Sequence, residues 1–254
     1  NRASNCSSSA HQQKEPQEFI TITQQQYDGD NTTPNLDSGG SNQPSICLFA
    51  DDTIAYNSAS NHTILQDDLA KLEQWEQLWD MEFHPSKCEH IVFSRKRQPA
   101  AESLYLHDTE IPKADHIRYL GVTLDPKLNW NKHIDNVAAK GNSTLGFIRR
   151  NVLTNSETVK ATAYKQLVRP VLEYASSSWD SASDTAVSRL EAVQRRAARL
   201  ICGIRRTDRK TSTTSLLQKL DLKPLSERRS DRRLKVFSQY HHSSKAVISN
   251  YIQP

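Results

Sequence analysis

The chain has 254 residues and a mass of 28.8 kDa, with 36% hydrophobic residues, 24% charged residues and a formal net charge of +4. That length allows one large domain or two small ones. Disorder throughout is excluded, because four Trp, eight Tyr and six Phe fall in periodic stretches. The longest apolar runs, such as residues 46–50, fall far below the ~20 residues of a spanning helix, so the sequence predicts no membrane protein. Residues 1–44 contain no apolar core of a signal peptide. Cys6, Cys47, Cys88 and Cys202 are too scattered for a disulfide scaffold or a zinc ribbon and suit a reducing compartment. The chain begins at Asn1 and its only methionine is Met81, which reads as a processed chain or a fragment.

The small net charge conceals an asymmetry. Residues 1–44 sum to −3, residues 45–135 to −6 and residues 136–254 to +13. An acidic middle followed by a basic end predicts two functional parts, the second attracted to a polyanion.

In chain order, residues 1–44 are rich in Ser, Gln, Asn and Thr and read as a disordered polar tail. Residues 46–49 and 53–56 are short apolar runs that predict a hairpin turning at Ala50-Asp51-Asp52. A helix follows, capped by Asn61 or Thr63, with Leu65, Leu69, Leu72, Trp75 and Trp79 on one stripe. Phe83-His84-Pro85-Ser86 ends it, and residues 87–93 resume as a strand. Residues 104–106 and 116–124 predict one further hairpin, ended by Pro126.

From Trp130 the pattern is helical. Ile134, Val137, Leu145 and Ile148 mark a helix weakened at Gly141 and Gly146. Thr154-Asn155-Ser156-Glu157 fits a capping box for a second, which Pro170 should kink or end. A third helix carries Leu190, Val193, Ala197 and Leu200 and stops at Gly203. A fourth covers roughly residues 226–240, with Leu234 and Phe237 among arginines. The fold class is α+β, divided as a tail over 1–44, a mixed segment over 45–128 and a basic helical segment over 129–254.

The sharpest local feature is Leu48-Phe49-Ala50-Asp51-Asp52-Thr53. Adjacent carboxylates on a tight turn repel, and a divalent cation relieves that cost while using both. The plainer reading is that Asp is a good turn residue. The histidines show no zinc-ligand spacing, and no Gly-rich phosphate loop or nucleophile elbow occurs.

Phe49-Ala50-Asp51-Asp52, the helix bearing Trp75 and Trp79, Pro85-Ser86-Lys87-Cys88 and Tyr119-Leu120-Gly121-Val122 together resemble the reverse transcriptases of non-LTR, LINE-type retrotransposons. Leu167-Val168-Arg169-Pro170-Val171-Leu172-Glu173-Tyr174 and residues 190–203 look like the region after the palm in that family, so the resemblance spans about residues 46–240. It implies a partial polymerase palm over 45–128 and a thumb-like region over 129–254, with RNA template, DNA primer and deoxynucleotides as partners.

The resemblance makes Asp51 and Asp52 the metal pair for Mg²⁺ or Mn²⁺ in a two-metal nucleotidyl transfer, with Phe49 where many reverse transcriptases have Tyr. Lys87 matches a lysine near the triphosphate that helps protonate pyrophosphate, against the alternative of a solvated turn lysine. Tyr119, Leu120 and Gly121 match the primer grip, although Tyr119 and Leu120 could equally be strand-core residues.

Residues 189–210 hold eight basic and two acidic side chains. Arg195, Arg196, Arg199, Arg205 and Arg206 are therefore candidates to grip nucleic-acid phosphates, the alternative being a solvated helix face. The family's third metal-binding aspartate, its nucleotide-positioning loop and its fingers have no match before Ile46, because Asp28, Asp30 and Asp37 sit in Gly/Asn/Ser contexts. The palm sheet should accordingly lack the strand flanking the catalytic hairpin, and this polypeptide alone should not polymerise DNA. The alternative function is a non-catalytic nucleic-acid-binding remnant; a metal-dependent nuclease has only the two aspartates behind it. Access to cytoplasmic RNA and nuclear DNA leaves both compartments open.

Overall fold

A computed structural model describes residues 17–23, 45–49, 52–58, 62–79, 82–94, 103–179, 183–205, 208 and 210–243. The chain divides into two compact units, Asn1–Leu128 and Asn129–Pro254, in an α+β architecture.

The first unit is built on a four-stranded antiparallel sheet in the order β2-β3-β1-β4. Its strands are β1 (Gln17–Thr23), β2 (Ser45–Phe49), β3 (Asp52–Ser58) and β4 (Glu89–Phe93). β1 departs from the sequence reading. Glu18-Phe19-Ile20-Thr21-Ile22-Thr23 lies within the stretch read as a disordered tail, yet it forms the strand between β3 and β4. Its alternating Ile and Thr are strong strand formers whose signal is diluted by the polar residues around them. The strand expected to be missing beside the hairpin is thus supplied from within residues 1–44; the other residues of that segment lie outside the described set. β4 is covered in turn by the Ile111–Ala114 stretch, since His90 N donates to Pro112 O at 3.0 Å and Ala114 N to His90 O at 2.8 Å.

Helix α1 (His62–Trp79) covers one face of this sheet. Leu65, Leu69 and Leu72 are buried with Ala55, Phe83, Cys88, Leu104, Leu106 and Ile111, and Trp75 packs against them, stacked on Phe83 at 5.9 Å. The predicted stripe is therefore the core stripe as far as Trp75; the Trp79 side chain lies outside the described residues, as does Asn61. Thr63 falls inside the helix and does not cap it.

Residues 104–124 form two hairpins where the sequence predicted one. β5 (Tyr105–Leu106) pairs with β6 (Thr109–Glu110), and β7 (Ile117–Tyr119) pairs with β8 (Val122–Leu124). In the first, His107 and Asp108 have φ of 47° and 56°, the left-handed pair of a two-residue type I′ turn. α1 anchors that hairpin through polar side chains. Gln66 Nε2 donates to Tyr105 O and Gln66 Oε1 accepts from Tyr105 N, both at 2.9 Å; Glu73 Oε1 accepts from His107 N at 2.5 Å.

The second unit is helical: α2 (Asn131–Asn151), α3 (Glu157–Ala163), a π-helical turn (Tyr164–Val168), α4 (Arg169–Glu173), α5 (Ser176–Trp179), α6 (Asp184–Ile201), α7 (Thr213–Lys219) and α8 (Leu225–Ser243). Pro170 explains the π turn: it has no N–H to continue an α-helix, and the residue before it closes a wider ring, Arg169 N donating to Tyr164 O. The interruption leaves Tyr164, Val168 and Leu172 all buried on one side.

Gly141 is a packing position more than a weak point. A Cβ there would sit 2.6 Å from Leu172 Cδ2, so its absence lets α2 approach α4. Ser156 alone caps α3, accepting from Val159 N at 3.4 Å, while Glu157 pairs with Lys219 instead of closing a capping box. α6 ends as predicted at Gly203 (φ 66°). Ile204 N donates to Arg199 O and Gly203 N to Leu200 O, the two bonds of a Schellman cap. α7 has no counterpart in the sequence reading, and Leu234 and Phe237 of α8 are exposed.

Candidate catalytic hairpin and nucleic-acid interface

The β2–β3 hairpin carries Asp52. Phe49 pairs with Asp52, and Asp52 pairs on its other side with Thr23, the last residue of β1. Asp52 thus opens a strand and is half-buried, whereas Phe49 is 62% exposed. Alternation puts Asp52 on the sheet face opposite Ala55 and α1. Asp51 lies outside the described residues.

Lys87 ends a 3₁₀ turn (Pro85–Lys87) just before β4. Because Thr21 pairs with Glu89 and Thr23 with Asp52, that turn falls at the same end of the sheet as Asp52, across β1. The turn is shaped by Lys87 N donating to His84 O at 2.9 Å. The Lys87 side chain is exposed and has no ion-pair partner among the described residues.

In the β7–β8 hairpin Tyr119 pairs with Val122, leaving Leu120 and Gly121 as the two turn residues with φ of 44° and 79°. Gly121 suits a type I′ turn, but Leu120 in the left-handed region costs about 1–2 kcal/mol. Strain of that kind is retained where hairpin geometry is constrained from outside. β7 lies against β4.

A buried acid braces this unit. Glu76 of α1 is 4% exposed, accepts from Phe83 N, and meets His107 Nε2 at 2.8 Å. Burial pushes its carboxyl above the usual range despite those partners. The Cys88 thiol is pushed up to about 12, by burial first and the charge of Glu76 second. Among the described residues no group of three or more His, Cys, Asp or Glu is arranged to hold a metal ion.

The basic candidates on and after α6 divide. Arg196 Nη1 donates to Asn142 Oδ1 of α2 at 2.9 Å. Arg199 Nη2 donates to Arg205 O at 2.7 Å and to Asp208 O, closing the loop after the helix. Arg195 is half-buried with no partner side chain among the described residues, Arg205 is exposed, and Arg206 lies outside the described residues.

The sequence reading missed the residues that organise this unit. Glu173, 5% exposed, takes Arg228 Nε at 2.5 Å and Arg228 Nη2 at 3.1 Å on its two oxygens, with Arg232 Nη2 at 3.4 Å. Arg232 Nη1 also donates to Glu173 O at 2.8 Å. Arg229, 2% exposed, stacks over Trp179 at 5.6 Å, and Trp179 meets His133 at 5.6 Å. Burial holds the His133 imidazole below its ordinary range. The one available signal was Glu173 directly beside the apolar Tyr164, Val168 and Leu172 series. Trp130 and Trp179 are buried packing anchors of the helical unit, whereas Tyr174 is 55% exposed. No described helix is long and apolar enough to cross a membrane.

These features describe a chain with a carboxylate-bearing hairpin on a sheet and a basic helical unit, and its known relatives are polymerases. Over 186 residues, 70% of the chain, it is 28% identical to the probable RNA-directed DNA polymerase from transposon X-element of Drosophila melanogaster. Over 167 residues, 62% of the chain, it is 26% identical to the RNA-directed DNA polymerase from mobile element jockey of the same species. Transposon BS supplies another relative, 25% identical over 164 residues. The chain spans 20% of the length of the first and 18% of the other two. No family model matches it. More particularly, then, the chain is a relative of the reverse transcriptases of non-LTR transposons, in agreement with its motif order.

Proposed function

We propose that residues 45–128 are the C-terminal part of a reverse-transcriptase palm, completed at its centre by β1, and that residues 129–254 are its helical thumb. The intact enzyme copies RNA into DNA from a primer. The observation that carries this reading is Asp52 opening β3 at the end of the sheet where the Lys87 turn also falls, in a chain whose relatives are RNA-directed DNA polymerases.

Asp51 and Asp52 would hold Mg²⁺ or Mn²⁺, since paired carboxylates supply the hard oxygen donors such ions take. When bound, the cation supplies charge stabilisation for phosphoryl transfer. Lys87, exposed at the end of the sheet where Asp52 opens β3, donates a proton to the leaving pyrophosphate oxygen. The strained Leu120–Gly121 turn lets backbone approach the primer terminus, and Tyr119 orients that turn from the strand before it.

The strand beside Asp52 ends in Thr23, which has no carboxylate to add to the pair. The 254-residue polypeptide alone is therefore inactive in DNA synthesis. Primer extension on an RNA template with Mg²⁺ or Mn²⁺ tests this: no incorporation is expected, and incorporation abolished by Asp51→Ala would overturn it. A second reading, nucleic-acid binding without catalysis, is favoured by the positive excess of residues 136–254. It requires that RNA–DNA duplex binding weaken steeply with salt, log K falling by ~0.7–0.9 per log unit of salt for each phosphate neutralised.

A further inference from the structure

One cleft of the helical unit gathers four cations, one of them Arg169 of the stretch over residues 167–174. It has a volume of about 270 Å³ and lies between the π turn with α4, the buried side of α6 and the α7–α8 connection. Lys165, Arg169, Lys223 and Arg228 line it, with Asp221 as the only carboxylate on its wall. Two of these cations already have acids: Lys223 Nζ meets Glu227 Oε1 at 3.1 Å, and Arg228 is held by Glu173. Among the described residues Lys165 and Arg169 pair with none, although both are half-buried.

The backbone explains why they are together. They stand four residues apart across the π turn that Pro170 imposes, next to the buried Tyr164 and Val168. Like charges at that spacing repel, and partial burial deepens the cost. Nothing in the helix requires it, since Gln166 and Leu167 between them are exposed and could carry the charge in open solvent.

The walls are also fixed in place. Gln194 is fully buried at the base of the cleft, its Oε1 accepting from Tyr164 Oη at 2.8 Å and its Nε2 donating to Lys223 O at 2.9 Å. One amide thereby ties the π turn to the α7–α8 connection. That connection is set by the left-handed Asp221 (φ 49°) and by Leu222 N donating to Leu217 O at 2.9 Å. Two unneutralised cations on a braced wall form a preorganised receptor for an anion. A guanidinium fork beside an ammonium suits the several oxygens of a phosphoryl group.

We propose that this cleft binds one phosphate of a nucleic-acid backbone, with Lys165 and Arg169 as its direct ligands and Lys223 and Arg228 as supporting charge. The proposal rests on the nucleic-acid reading of the basic unit and locates it on a surface other than the outer face of α6.

The test uses the full 254-residue chain and a fluorescent RNA–DNA duplex, with binding followed by anisotropy from 50 to 200 mM salt. The double variant Lys165→Gln/Arg169→Gln should bind about tenfold more weakly and lose about 0.7–0.9 from the slope of log K against log salt, the share of one phosphate. The charge-preserving Lys165→Arg/Arg169→Lys should keep the slope. Both variants should melt like the parent by circular dichroism, because no described carboxylate pairs with either side chain. Wild-type binding with an unchanged slope in the double variant overturns the cleft and leaves the nucleic-acid reading standing. Absence of wild-type binding overturns both. Inorganic pyrophosphate is the second probe: if it binds and requires Lys165 and Arg169 while the duplex does not, the site serves a free phosphate and the backbone assignment is overturned.

Discussion

In the first unit carboxylates and a carboxamide of one helix fasten neighbouring backbone: Gln66, Glu73 and Glu76 of α1 reach Tyr105, His107 and Phe83. In the second unit arginines play that part. Arg228 and Arg232 converge on Glu173, Arg199 gathers two carbonyls, Arg196 reaches Asn142, and Arg189 reaches Asp135. The positive excess of residues 136–254 is therefore not all available to a polyanion. Much of it is internal framework, and the cations left over, such as Lys165, Arg169 and Arg195, are fewer than the composition suggests. Net charge measures attraction at a distance, whereas contact depends on which cations have no acid of their own.

The contrast can be broken most severely at Glu173. Glu173→Gln leaves the part-exposed Arg228 and Arg232 facing a neutral amide at a buried position, and the loss of charge-assisted bonds from both guanidiniums costs several kcal/mol. The thermal transition of the helical unit should collapse while protection of α1 amides from hydrogen exchange persists; loss of both together would mean the units do not fold separately. Leu69→Ala is the reciprocal change. It opens a cavity under α1 worth about 2–5 kcal/mol, and exchange should accelerate in α1 and β3 but not in α6.

Gly141→Val is smaller, because it overpacks the α2–α4 contact against Leu172 by about 1–3 kcal/mol; an unchanged melting temperature would show that the contact can yield. Acid should then separate the units. The His133 imidazole is held below its ordinary 6.5 by burial, so the unfolded chain takes up the proton first. The stability His133 contributes is complete above about 6.5 and is lost as pH falls from there toward the folded-state value. A pH series of urea melts should show this decline, and His133→Phe should flatten it. The smallest effect is chemical. With the Cys88 thiol at about 12, Cys88 should resist iodoacetamide at pH 8 until the first unit unfolds.

Several elements were legible in the sequence for reasons that are local. The Leu65, Leu69 and Leu72 stripe became the core of the first unit, and Gly203 became a left-handed cap, because helical periodicity and glycine's conformational freedom act over a few residues. β1 was missed because seven residues of strand former were averaged with a polar segment. The single hairpin predicted over 104–124 became two because two-residue turns at His107-Asp108 and Leu120-Gly121 need left-handed residues, and only one of those four is glycine. Arg196 and Arg199 looked available because helical phase shows which face is polar and not what stands opposite it.

By itself the chain order of residues determined the family resemblance, the α+β class, the position of Asp52 on a hairpin and the charge asymmetry, since each is a matter of residue type and spacing. Tertiary structure alone decided that Thr23 stands beside Asp52, that the Lys87 turn shares its end of the sheet, and that Glu173 consumes two arginines while Lys165 and Arg169 share a cleft in which no described carboxylate pairs with either. Those are pairings between residues that lie ~30 or more positions apart or across a turn rewired by Pro170. They depend on burial and strand register, which no local pattern encodes.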